Sequence, residues 1–138
     1  MIGAAVACAG LGPDWPAAVE PALRICGYVI EAAGFALAIT ARFALGKSFT
    51  VLPRPRVRAT LRRHGVYAHA RHPIYGGLLL IGIGLALDRS GLVLLPTAVL
   101  AVVFLLKSMR EEAWLAVPYP DYGDYRQATR RRFVPWLV

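Results

Sequence analysis

Apolar positions along this chain gather into three runs. The first covers 21–46, "PALRICGYVIEAAGFALAITARFALG". Pro21 suits the start of a helix and Gly46 its end. At about 1.5 Å per residue this run reaches about 39 Å, enough to cross a bilayer. The second run is 74–87 and the third 91–106, separated only by Asp88, Arg89 and Ser90. Each alone spans about 21 to 24 Å, short of a hydrocarbon core of about 30 Å. So short a connection makes the two antiparallel neighbours, and the pattern predicts a tight helical hairpin whose helices run past the apolar stretch at the far end. Nothing breaks the third helix before Pro118, so it is expected to continue to about residue 116. The fold class expected is all-α, an integral membrane helical bundle of about three transmembrane helices plus a short N-terminal apolar element. The 138 residues read as one domain: the N-terminal element in 1–20, a transmembrane helix at 21–46, a basic loop at 47–72, the hairpin at 73–109 and a C-terminal region at 110–138.

Composition sharpens that picture. The chain is 57% hydrophobic with a mean hydropathy of +0.52, yet its formal net charge is +8. A basic protein can be a nucleic-acid binder, but long apolar runs argue against that, and no nucleic-acid partner is expected. Cys8 and Cys26 lie among apolar residues without a CxxC, so neither a disulfide framework nor a metal site is expected. The positive charge is unevenly placed. The segment 47–72 carries Lys47, Arg54, Arg56, Arg58, Arg62, Arg63 and Arg71; 107–138 carries Lys107, Arg110, Arg126, Arg130, Arg131 and Arg132. Residues 13–20 carry none and the hairpin turn only Arg89. Basic loops mark the cytosolic side. Both basic segments are therefore expected there, in the plasma (inner) membrane, with 13–20 and 88–90 facing outward.

Arg71, His72 and Pro73 stand at the mouth of the second apolar run. Pro73 fits the first turn of a helix, where its missing N–H costs nothing. A second polar cluster, Glu111 and Glu112, lies on the outgoing helix. From Arg89, His72 is 17 residues back and Glu111 is 22 forward, so the hairpin brings both clusters to one end, offset by about 7 to 8 Å. A cationic pair and an anionic pair above an apolar floor suit a small zwitterionic ligand with an apolar or aromatic part. The plainer alternative is that Arg and Glu at a membrane boundary only snorkel or pair with each other. Glu31 sits ten residues into the first run, near the expected membrane middle. Such a residue is either functional or held neutral or paired within the bundle. Gly76, Gly77, Gly82 and Gly84 serve either close helix packing or approach of a ligand.

The stretch "GVYAHARHPIYGG" resembles the motif G-x-Y-x-x-x-R-H-P-x-Y-x-G of the isoprenylcysteine carboxyl methyltransferase family. The later "EEAWL…YPDYGDYRQATRRRFVP" is similar to that family's C-terminal signature, a Glu-Glu pair, two tyrosines three apart and a closing Pro. The matching positions are Gly65, Tyr67, Arg71, His72, Pro73, Tyr75, Gly77, Glu111, Glu112, Leu115, Tyr122, Tyr125 and Pro135. The resemblance covers about 50–138 well and 21–49 loosely. Phospholipid N-methyltransferases share its RHP and Glu-Glu elements, and some membrane sterol reductases have a similar scaffold. Longer members have further helices before this core. A chain close to minimal here implies a smaller lipid chamber, or one completed by a second copy as a homodimer.

The resemblance implies methyl transfer from S-adenosyl-L-methionine. It places Arg71, His72, Pro73, Tyr75, Gly76, Gly77, Glu111 and Glu112 around the cofactor. The start of the helix at Pro73 offers N–H groups to the cofactor's carboxylate, Arg71 or His72 adds charge-assisted hydrogen bonds, and a Glu accepts from the ammonium or ribose. Adjacent helical residues point about 100° apart, so one Glu is expected to face the ligand, Glu112 by preference, and the other the basic loop. Arg126 or Arg110 would orient a carboxylate acceptor, while an amine acceptor would need Glu111 or His69 as base. Tyr122 and Tyr125 would wall off the substrate, with Glu31 further along its path. The acceptor implied is lipophilic or lipidated, reached among membrane lipids. A nicotinamide-dependent reductase and a non-enzymatic membrane scaffold are the alternatives from other classes.

Overall fold

The computed structural model describes residues 15–46, 61 and 63–135. The expected N-terminal element lies largely outside these residues, as do Lys47, Arg54, Arg56, Arg58 and Arg62 of the basic loop. All regular structure among the described residues is helical: α1 (Glu20–Leu45), a 3-10 turn (Gly65–Ala68), α2 (Pro73–Asp88), a second 3-10 turn (Gly91–Val93), α3 (Leu94–Leu115) and α4 (Tyr122–Ala128). Pro stands in the first turn of both α1 and α2, and α1 closes on Gly46 at φ 51°, a left-handed conformation that favours glycine.

Among the described residues, two segments are long and apolar enough to cross a membrane, α1 and the 25 residues Gly91–Leu115, and α2 is a shorter apolar helix of 16 residues. Large apolar side chains cover the outside. Ile25, Val29, Phe35 and Phe43 on α1 and Leu95, Val99, Val102 and Leu106 on α3 are all exposed. A helical bundle with a hydrophobic exterior is what lipid requires, because each helix satisfies its own backbone there.

The closest helix contact was not the expected one. The short link at 88–90 makes α2 and α3 antiparallel neighbours, with Gly82 against Thr97 and Tyr75 stacked on Phe104. However, α2 packs more extensively on α1. Gly27 and Gly34 face Gly84 and Gly77. A Cβ at Gly77 would lie 2.6 Å from the Gly34 carbonyl oxygen, and one at Gly27 would lie 2.7 Å from that of Gly84. Small residues spaced by seven on both helices let two backbones touch. The hairpin glycines thus serve three neighbours: Gly77 and Gly84 meet α1, Gly82 meets α3, and Gly76 meets the Phe133 backbone.

After α4 the chain returns to the start of α2. Tyr125 Oη donates to the Tyr67 carbonyl at 2.7 Å and Thr129 Oγ1 to that of Ala68 at 3.3 Å, while Tyr67 Oη donates to the Ala41 carbonyl at 3.4 Å. Arg63 and Asp121 form an ion pair across the same junction. The Arg71 and His72 amides donate to the Arg131 and Arg132 carbonyls at 3.1 and 2.7 Å.

Candidate active site

The polar cluster forms where the start of α2, the end of α3 and the returning C-terminal segment converge. Glu112 is its centre. One carboxylate oxygen lies 3.1 Å from Arg71 Nη1; the other lies 3.2 Å from His72 Nε2 and 3.4 Å from Arg132 Nε. The Glu112 side chain is 6% exposed and that of Arg71 9%, so burial leaves this pairing little competition from water. Glu111, one residue earlier and turned about 100°, lies 3.5 Å from His72 Nδ1 and accepts the Tyr75 hydroxyl at 2.7 Å. Both nitrogens of His72 therefore face carboxylates. Nε2 is within hydrogen-bond distance of Glu112, and Nδ1 faces Glu111 at the longer separation.

An aromatic ladder fixes these groups. The His72 and Tyr75 rings are parallel with centroids 5.6 Å apart, and Tyr75 stacks on Phe104 at 4.5 Å. Lys107 Nζ lies 5.4 Å from the centre of the Tyr75 ring. Beside the cluster is an open apolar groove of about 500 Å³ lined by Ala38, Ile39, Arg42, Phe43 and Ile74. It runs between the last turns of α1 and the first residue after Pro73.

Of the residues expected at the site, Arg71, His72, Pro73, Tyr75, Glu111 and Glu112 do come together. Gly76 and Gly77 are adjacent, but the sides where a Cβ would stand are filled by Phe133 and by α1. Arg110 is exposed, with its guanidinium 5.8 Å from the Trp114 ring, and Arg126 is exposed on α4. Tyr122 and Tyr125 are buried. Burial pushes the Tyr125 phenol up to about 12 against the pull of Arg71 and Arg63, and raises Tyr67 and Tyr122 further. All three are neutral packing groups at physiological pH.

Glu31 is not part of this cluster. It packs on Gly84 near the hairpin turn, and Gly84 is about 18 Å along α2 from His72. Its neighbourhood is a second polar group, in which Asp88 lies 2.7 Å from Arg89 Nε and 3.5 Å from Arg24 Nε. Trp15 Nε1 donates to the Ala86 carbonyl at 3.3 Å at the same end.

Arg132 and Phe133 are site residues that the sequence pattern did not single out. Their one visible signal was the run "TRRRF" just before Pro135. The intervening turn and α4 hide which arginine returns to Glu112.

No curated protein matches the chain. The family model for phospholipid methyltransferases matches residues 23–122. That stretch takes in all but the first three residues of α1, the RHP start of α2, the hairpin and the Glu-Glu pair. The protein belongs to the phospholipid methyltransferase family, a family of membrane methyltransferases.

Proposed function

We propose that the protein transfers a methyl group from S-adenosyl-L-methionine to the carboxylate of a lipid or lipidated acceptor, at the cytosolic face of the plasma membrane. The observation that carries this reading is the buried cluster of Arg71, His72, Glu111, Glu112 and Tyr75 beside an apolar groove. The cofactor, when bound, supplies a methyl group on a sulfonium centre. The residues fit its polar end. The first turn of α2 presents backbone N–H groups and the positive end of a helix dipole to a carboxylate, and Arg71 Nε is buried without an acceptor among the described residues. Glu112, the carboxylate preferred from the sequence, is taken up by Arg71, His72 and Arg132, so the role of accepting from an ammonium or from ribose hydroxyls passes to Glu111.

Catalysis then rests on alignment and exclusion of water, since an ionised carboxylate needs no base. His72 and Tyr75 hold the carboxylates in place through the stacked ladder. The groove along residues 38–43 accepts the acceptor's apolar part and presents its polar end to the cluster. The basic charge of the 47–72 and 107–138 segments supports the cytosolic placement.

The description of the matching family favours a second reading, methylation of a phospholipid amine. That reaction needs a base for the ammonium. Glu111 is the nearest candidate, and it already accepts from Tyr75 and faces His72. One experiment separates the two. Membranes incubated with the protein and methyl-labelled S-adenosylmethionine should yield label released as volatile methanol by mild alkali. Label that survives alkali and travels with a phospholipid headgroup overturns the carboxylate assignment, and no transfer at all overturns the methyltransferase reading of this site. His72→Ala should weaken binding of S-adenosylhomocysteine by roughly 10- to 150-fold, the loss of one charge-assisted hydrogen bond.

A further inference from the structure

We infer that Arg132, on the segment that follows α4, is a ligand-binding residue that joins Arg71 in holding a carboxylate at the start of α2. This rests on the methyltransferase reading above. Residues 129–133 lie beyond the stretch matched by the family model, yet they are fastened to the site. The Arg131 and Arg132 carbonyls accept from the Arg71 and His72 amides, the Arg130 carbonyl accepts from Arg71 Nη2 at 3.4 Å, and Phe133 packs on Gly76. Backbone pairing of this kind sets the register, so Arg132 is the arginine of the run that reaches Glu112.

Arg71, His72 and Arg132 all face Glu112, and His72 also faces Glu111. Two guanidinium N–H groups lack an acceptor. Arg71 Nε and Arg132 Nε are both buried without a hydrogen bond among the described residues, although Arg132 Nε is 3.4 Å from Glu112. Arg71 is the stronger case, with its side chain 9% exposed. Buried donors are seldom left unpaired in folded proteins, and an anionic acceptor would satisfy these two. The first turn of α2 adds to this. Pro73 has no N–H and the Gly76 amide is taken by the His72 carbonyl, which leaves the Ile74 and Tyr75 amides as first-turn donors. A planar carboxylate with two oxygens matches two guanidiniums flanking a helix start.

The carboxylate could be that of the cofactor's methionine end or that of the acceptor, and the test distinguishes them. The full chain in detergent is titrated calorimetrically with S-adenosylhomocysteine and with its decarboxylated analogue, for wild type, Arg132→Gln and Arg132→Lys. If the carboxylate is the cofactor's, Arg132→Gln weakens S-adenosylhomocysteine roughly 10- to 150-fold, Arg132→Lys restores part of the loss, and the decarboxylated analogue binds wild type and Arg132→Gln alike. If it is the acceptor's, both nucleosides bind unchanged and the acceptor KM rises by a similar factor with kcat held. A folded Arg132→Gln that alters neither, or that weakens both nucleosides equally, overturns the inference and leaves the methyltransferase reading standing. Wild type that binds neither nucleoside overturns both.

Discussion

Adding one methyl group at Gly77 tests whether the glycine contact sets the spacing of α1 and α2. A Cβ there would lie 2.6 Å from the Gly34 carbonyl oxygen and 2.9 Å from the Ala38 backbone nitrogen. Neither atom can move without moving a helix. Gly82 is the matched control in the same helix. Its Cβ would also meet atoms at 2.6 and 2.8 Å, but these are Oγ1 and Cγ2 of the Thr97 side chain, which can shift at the cost of its bond to the Val93 carbonyl where a helix backbone cannot. Alanine gains about 0.8 to 1 kcal/mol of helix propensity over glycine at either position. That gain cancels in the comparison, so the difference isolates the backbone clash, an overpacking cost of about 1 to 3 kcal/mol. Gly77→Ala should therefore be less stable than Gly82→Ala by that amount when each is unfolded from mild detergent with SDS and followed by circular dichroism. Gly34→Ala should resemble Gly77→Ala. The double variant should cost little more than either alone, because both push on one gap. A Gly77→Ala protein as stable as Gly82→Ala would refute the argument.

Three further outcomes are expected. Glu112→Gln leaves Arg71 buried without a carboxylate and should cost about 3 to 5 kcal/mol, most of it recovered in the Glu112→Gln/Arg71→Met double variant; in the same SDS titration, a loss for the single variant as small as a surface pair's would show that Arg71 reaches water. Stability should fall in alkali, because the Tyr125 phenol is raised to about 12 when folded against about 10 unfolded. The unfolded chain loses its proton first, so the contribution, roughly 2 to 3 kcal/mol, is complete below pH about 10 and gone above about 12; circular dichroism that stays flat across that window while tyrosinate absorbance rises would contradict it. In a cysteine-free background, Ala18→Cys should react with an impermeant thiol reagent added to spheroplasts and Gln127→Cys should not, and equal labelling would sink the proposed orientation.

Much of the helical plan was legible because apolar runs, prolines at helix starts and a very short link leave few topologies. The meeting of His72 with Glu111 and Glu112 followed from counting residues either side of Arg89. The partnership of α1 with α2 was not drawn from the sequence, although its signal is there. Gly27 and Gly34 repeat the seven-residue spacing of Gly77 and Gly84, whereas the short hairpin link points only to the other neighbour of α2, α3. Glu31 keeps the mid-bundle level expected of it, since the glycine register sets it near Leu80, and its side chain packs on Gly84 on the hairpin-turn side. Arg132 was hidden because three consecutive arginines are equivalent until backbone pairing with residues 71 and 72 selects one.

The unequal lengths of the helices set the depth at which the site works. The glycine register that pairs Gly34 with Gly77 puts Pro73 level with Ala38, so α1 rises about 10 Å above the start of α2. The charged cluster is thus countersunk below the rim that α1 forms, and in the proposed membrane placement that is the level where a bilayer would change from acyl chain to headgroup. Under the proposed function, an acceptor anchored in the same leaflet would not have to be lifted into water to meet these side chains, and would arrive sideways with its tail still in the hydrocarbon. On that geometry, access is tuned by membrane thickness, since a thicker bilayer would sink the cluster among acyl chains and a thinner one would raise it clear of the heads it must reach.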